Sequence, residues 1–144
     1  FGKDKLSVIE RFINNLMRSG KFSGKKQHCA KAFEAALDNI AERTGENPLQ
    51  HLINAIVASA PCEEITRIKF GAVSQPKAVD SSPSRRLDTA LRNLSKGCAS
   101  ATAKSTRTLT QGIISEINKA AAGDVSSYAV AKKEELERIA ASSR

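Results

Sequence analysis

The chain has no tryptophan, one tyrosine and one methionine, and only 4% of its 144 residues are aromatic. With so few of the ring residues that favour strands, and with Ala, Leu, Ile, Lys and Glu plentiful, helices are the expected local structure. Cysteine is nearly as scarce. Cys29, Cys62 and Cys98 are odd in number, and no two form a Cys-x-x-Cys pair. That excludes a disulfide framework and fits small buried side chains in a reducing compartment. Two histidines and three widely spaced cysteines do not assemble four zinc ligands. No apolar run approaches the ~20 residues of a membrane span. The chain opens at Phe1 and not Met, as a processed or truncated chain would, and shows no signal-peptide pattern.

Signatures of catalysis are missing as well. There is no glycine-rich phosphate loop and no nucleophile elbow. His28 adjoins Cys29, but neighbours on a helix project about 100° apart and make no dyad. His51 is isolated and reads as a surface or half-buried histidine. The chain is therefore expected to be no enzyme and to carry no cofactor and no metal.

Charge is what the chain has in excess. Its net charge is +8 and its pI about 9.7, which points to a polyanionic partner such as nucleic acid or an anionic membrane surface. The basicity is regional. Residues 1–26 carry net +5, residues 27–64 net −4, residues 65–107 net +7, and residues 108–144 balance.

The length suits one domain over residues 1–144, large enough to bury a core. Asp4 is the expected cap of a first helix over about 5–19, with Leu6, Ile9, Ile13, Leu16 and Met17 on one side and Gly20 as its stop. A loop with Lys21, Lys25 and Lys26 leads to a second helix ending near Arg43 and Gly45, with Phe33, Ala36, Leu37 and Ile40 as its stripe. Asn47 and Pro48 open a third, carrying Leu49, Leu52, Ile53, Ile56 and Val57. Residues 62–80 contain β-branched runs around Gly71 and Pro76, and are expected to form a hairpin that reaches away from the body. A fourth helix is expected from Pro83 to Gly97. A fifth, over about 105–121, is expected to be capped by Ser105 or Thr106, and a sixth covers about 127–141 with Ala131, Leu136 and Ile139 inward. The fold class is thus mainly α: six helices with one inserted two-stranded β-ribbon.

The fourth helix is the most informative. With Arg85 at 0°, 100° per residue puts Thr89, Arg92 and Lys96 within about 40° of it, and Leu87, Leu91, Leu94 and Cys98 on the far side at about 180–240°. One face is basic and the other is core. Ser82 and Pro83 cap the helix correctly, yet Arg85 and Arg86 load its first turn with the charge that the macrodipole disfavours. Backbone N–H groups plus two guanidiniums would make a phosphate site. An interfacial membrane helix would need a bulky apolar face that is missing here. Lys25 and Lys26 repeat the oddity at the second helix. The ribbon adds Arg67, Lys69 and Lys77.

Three segments then carry a resemblance. TGENPLQHLINAIVASAP (44–61), AVDSSPSRRLDTAL (78–91) and SSYAVAKKEELERIAASSR (126–144) are similar to protein seven of the small ribosomal subunit, in its eukaryotic and archaeal form. The similarity is collinear, from the KLSVIERFINNLMRSGK opening to the terminal SSR. It implies a six-helix domain with a ribbon. It also implies binding to the 3′ major (head) domain of small-subunit ribosomal RNA, and support of head assembly. The implied place is near the exit-site transfer RNA and messenger RNA exit path, beside neighbouring head and platform proteins, on cytoplasmic ribosomes. By matching position, Lys25, Lys26, Arg85 and Arg86 inherit RNA contacts, and Lys132 and Lys133 a contact near transfer RNA. The full candidate RNA-binding set is Lys21, Lys25, Lys26, Arg67, Lys69, Lys77, Arg85, Arg86, Arg92, Lys96, Lys104 and Arg107. Where the family's eukaryotic form carries several arginines at the ribbon tip and a long N-terminal segment, this chain has KFGAVSQPK and starts at Phe1. Two other readings fit the composition: a basic helical DNA-binding protein, and an interaction adaptor using the acidic 27–64 segment and the Glu-rich last helix.

Overall fold

The structure, a computed structural model, describes residues 2–103 and 106–143. Six α-helices are described: α1 (Val8–Leu16), α2 (Lys26–Thr44), α3 (Pro48–Ser59), α4 (Pro83–Ser100), α5 (Leu109–Ala121) and α6 (Tyr128–Ser142). Between α3 and α4 lies an antiparallel ribbon of β1 (Glu63–Phe70) and β2 (Val73–Asp80). The expected class, mainly α with an inserted β-ribbon, is what is observed.

Helix starts follow their caps. The Asn47 side chain accepts from the Leu49 N–H at 3.0 Å and Ser82 from Arg85 at 3.3 Å, as their positions before the helices suggested, and Ser127 caps α6 by accepting from Val130 at 3.5 Å. Two starts fall later than expected. Helix α1 begins at Val8, where Ser7 accepts from the Glu10 N–H in a Ser-x-x-Glu pattern; residues 3–5 form a separate 3-10 turn, and the Asp4 side chain lies outside what is described. Helix α5 begins at Leu109, capped reciprocally by Thr108 and Gln111. Ser105 lies outside the described residues, and Thr106 precedes the helix. At α5 the reciprocal pair outcompetes an earlier single oxygen.

Helix α4 runs three residues past Gly97, where it was expected to stop. Gly97 is there for packing. A Cβ on it would lie 2.6 Å from the Glu116 carboxyl carbon, and a Cβ on Gly112 of α5 would lie 2.6 Å from the Cys98 carbonyl oxygen. The two glycines let α4 and α5 cross almost backbone to backbone. Helix α5 also packs on α2, α3 and α6, and its Ile113, Ile117 and Ala120 are fully buried.

On α1 the deepest side chains are Phe12 and Leu16; Leu6 is exposed outside the helix. Phe12 meets Phe33 of α2 with ring centroids 5.2 Å apart. On α3 the buried side is Leu52, Ala55, Ile56 and Ser59, whereas Leu49, Ile53 and Val57, read as part of one stripe, are exposed. Ile139 of α6 is also exposed. Helix α3 is apolar nearly all round, so periodicity alone could not choose its inner face.

The ribbon turns at Gly71 (φ 62), and Pro76 sits inside β2, opposite Arg67. Because opposed residues share a face, Arg67 and Lys69 lie on one side of the ribbon and Lys77, opposite Thr66, on the other. The tip is exposed, while the base packs on α6.

Candidate nucleic-acid interface

Arg92 and Lys96 project from α4 on the side away from Leu91, Leu94 and Cys98, which are all fully buried. The face is wider than one helix. Arg11 lies on α1, and Arg18, seven residues further on, lies in the turn just past its C-terminal end. Arg18, Asn15 and Arg92 together line two adjoining depressions between α1 and α4. Arg18 was missing from the candidate set. Its signal was the Arg11–Arg18 spacing, which becomes meaningful only once α1 is known to pack on α4.

The acidic group within this face is neutralised. Asp88 accepts from both Lys3 Nζ and Arg11 Nη2. Burial opposes ionisation of Asp88, but the Lys3 and Arg11 donors and charges outweigh it and hold the carboxyl below its usual range. Among the described residues, no acidic side chain is within ion-pairing distance of Arg18, Arg92 or Lys96.

Arg85 and Arg86 have a different setting. Arg85 pairs through Nε with Glu64 of β1, and Arg86 donates from Nη2 to the Cys62 sulfur at 3.5 Å. Glu137 of α6 accepts from the Cys62 N–H at 3.0 Å. The first turn of α4 and the middle of α6 therefore grip the base of the ribbon from two sides. Glu64 offsets the conflict of Arg85 with the macrodipole, whereas Arg86 meets only the Cys62 thiol and its Nε is buried without a hydrogen-bond partner. Arg85 remains half exposed at its outer end, with a side-chain exposure of 59%.

The other candidates divide. Lys21 donates to the Thr102 carbonyl at 3.4 Å and lies 5.7 Å from the Phe22 ring centre, which brings it to the C-terminal end of α4. Lys25 is exposed at the N-cap of α2, and Lys26 pairs with Glu10 at 3.0 Å. Lys132 bonds Glu135 at 3.5 Å, lies over the Tyr128 ring and lines a hollow with Arg85 and Arg92; Lys133 is half-buried. Arg107 lines a depression with Ser100, Lys119 and Tyr128. Arg67, Lys69 and Lys77 lie on the exposed ribbon. Lys104 lies outside the described residues. Arg18, Arg85, Arg92, Lys96 and Lys132 thus border linked hollows, while the ribbon tip and Lys25 lie elsewhere.

Of the three thiols, Cys29 and Cys98 are buried and Cys62 is exposed. Burial, and then the Glu116 carboxylate, push the Cys98 thiol well up; burial also raises Cys29, against the pull of Lys25. Among the described residues no three His, Cys, Asp or Glu side chains group as a metal site. Nor is any described helix long and apolar enough to cross a membrane.

Comparison with known proteins places the sequence in a family. Residues 2–144 match the family described as ribosomal protein S7p/S5e. The chain is 50% identical over 143 residues to small ribosomal subunit protein uS7 of Thermoplasma volcanium, covering 99% of this chain and 78% of that protein. It is 48% identical to the protein of the same name from Picrophilus torridus, over 99% and 76% of the two chains. The counterpart from Archaeoglobus fulgidus is 45% identical, over 100% of this chain and 74% of its own. The chain belongs to the ribosomal protein S7p/S5e family, in its archaeal form.

Proposed function

We propose that the chain is a structural constituent of the small ribosomal subunit that acts as one RNA-binding domain on cytoplasmic ribosomes. Its target is the 3′ major (head) domain of small-subunit ribosomal RNA, where it supports head assembly near the exit-site transfer RNA and the messenger RNA exit path. Lys132 and Lys133 face the transfer RNA. The reading involves no catalytic step. Its main support is Arg92 and Lys96 on α4 with Arg18 beside them just past α1, none of them ion-paired among the described residues, and with the nearby carboxylate already neutralised. Such a face releases counterions when phosphates replace them, so affinity comes from charge, and site choice from RNA shape. Neighbouring head and platform proteins are further partners, and the exposed apolar row Leu49, Ile53 and Val57 on α3 supports a protein contact.

The test is co-sedimentation with small subunits before and after nuclease. Nuclease-sensitive association is expected. Absence from small subunits overturns the proposal, and preference for duplex DNA over structured RNA would favour the DNA-binding reading. A stable nuclease-resistant complex would favour an adaptor.

A further inference from the structure

A cleft of about 450 Å³ opens between α1, α4 and the start of α6. Its size lies within the range of small-ligand sites. Arg18, Arg92 and Lys96 border it, Ala99 and Ala103 contribute to its wall, and Tyr128 closes one end. Of the wall hydroxyls, Ser95 donates to the Phe12 carbonyl and Ser100 to the Gly97 carbonyl, which leaves their oxygens free to accept, and Ser19 and Tyr128 line the cleft as well. The Asn15 amide nitrogen donates to the Arg11 carbonyl at 2.8 Å, which leaves its oxygen to accept. The cleft therefore offers apolar surface, the Asn15 amide oxygen and hydroxyl acceptors, and three cations without counter-charges among the described residues. That combination suits a flat aromatic base joined to a phosphate. Guanidinium planes stack on π systems as well as pairing with phosphate, and unpaired bases are what proteins read most often in RNA. A duplex presents its phosphates on a convex ridge and keeps its bases inside, so it cannot fill a hollow walled by three helices.

We propose that this cleft seats a single unpaired nucleotide of the bound RNA, its base against Ala99 and Tyr128 and its phosphate among Arg18, Arg92 and Lys96. The proposal rests on the RNA-binding reading above. It adds that recognition includes one extruded base, so that phosphate contacts are only part of it.

The test is base-specific chemical probing of a head-domain ribosomal RNA transcript bound to the full chain, using Ala99→Leu and Ser100→Leu. Both substitutions narrow the cleft and keep every cation. Wild-type protein should protect one unpaired base. Each variant should restore that base's reactivity and bind about tenfold more weakly, in line with the loss of one base stacking contact, with the salt dependence unchanged. Circular dichroism melting verifies folding; Ser100 is exposed in the last turn of α4 and tolerates leucine even if Ala99 does not. Folded variants with wild-type affinity and wild-type protections overturn the seated nucleotide and leave the RNA-binding reading standing. Failure of the wild-type chain to bind the transcript overturns both.

Discussion

Arg85 and Glu64 form an ion pair between the first turn of α4 and the base of β1. The pair turns an arginine that looked like an RNA ligand into a clamp with some charge to spare. Arg92 and Lys96, further along the same helix, have no such partner among the described residues. Arg92→Ala and Lys96→Ala should each reduce the log–log salt slope of RNA binding by roughly one unit. Arg85→Ala should reduce it by less. Binding titrations of each variant across a range of salt check this, and a larger slope loss for Arg85→Ala would reverse the ranking.

Removing Asp88 should weaken the fold. Asp88→Ala leaves Arg11, with side-chain exposure of 12%, without its carboxylate. The expected loss is about 1–3 kcal/mol, as for hydrogen bonds to charged groups. Urea unfolding of both proteins measures it.

The same carboxylate sets an acid limb. Its folded-state pKa is depressed, so between the folded and unfolded values the native chain binds fewer protons than the unfolded one. Its contribution is therefore fully present above the ordinary aspartate value of about 4 and disappears as pH falls through the folded value. Wild-type stability should drop more steeply than that of Asp88→Asn below about pH 4. Parallel pH titration curves would refute this.

Gly112→Ala should cost about 1–3 kcal/mol, because the new methyl meets a backbone carbonyl that cannot swing aside. Gly97→Ala meets only a side chain, but that side chain is held. Glu116 accepts from Ser127 Oγ at 2.7 Å and the Ala129 N–H at 3.1 Å, at the start of α6. Yielding to the methyl would uncap α6, so both variants should melt below wild type.

Native-state thiol titration should modify one cysteine of three. Cys62 is exposed, while Cys29 and Cys98 are buried with raised pKa values and little thiolate at neutral pH. Mass spectrometry of the labelled chain should find the adduct on Cys62, with all three reacting after denaturation.

The helix starts at Asn47–Pro48 and Ser82–Pro83 were legible because the cap and the helix it starts are neighbours in sequence. So was the division of α4 into a core side and a basic side. What escaped was settled between elements. Gly97 looks like a stop when read locally, and is a crossing point only because Gly112 lies opposite. Arg18 is one more surface cation until α1 packs beside α4. Arg85 is a free guanidinium until the ribbon folds back with Glu64. Leu49, Ile53 and Val57 passed as core because α3 has apolar residues on every side. The basic face itself was thus readable from one helix, but its membership was not.

The cations just past α1 and on α4, without ion-pair partners among the described residues, have a consequence for the life of the free chain. Arg18, Arg92 and Lys96 repel one another until phosphates arrive, so the unbound protein is held at lower stability than its core alone would provide. Ligand binding to the native state adds stability in proportion to the logarithm of ligand concentration over Kd. Copies engaged with RNA should therefore outlast unengaged copies under proteolysis, which makes surplus chain the first to be cleared. On the proposed RNA-binding reading, the basic face thereby also adjusts the amount of protein to the amount of RNA available.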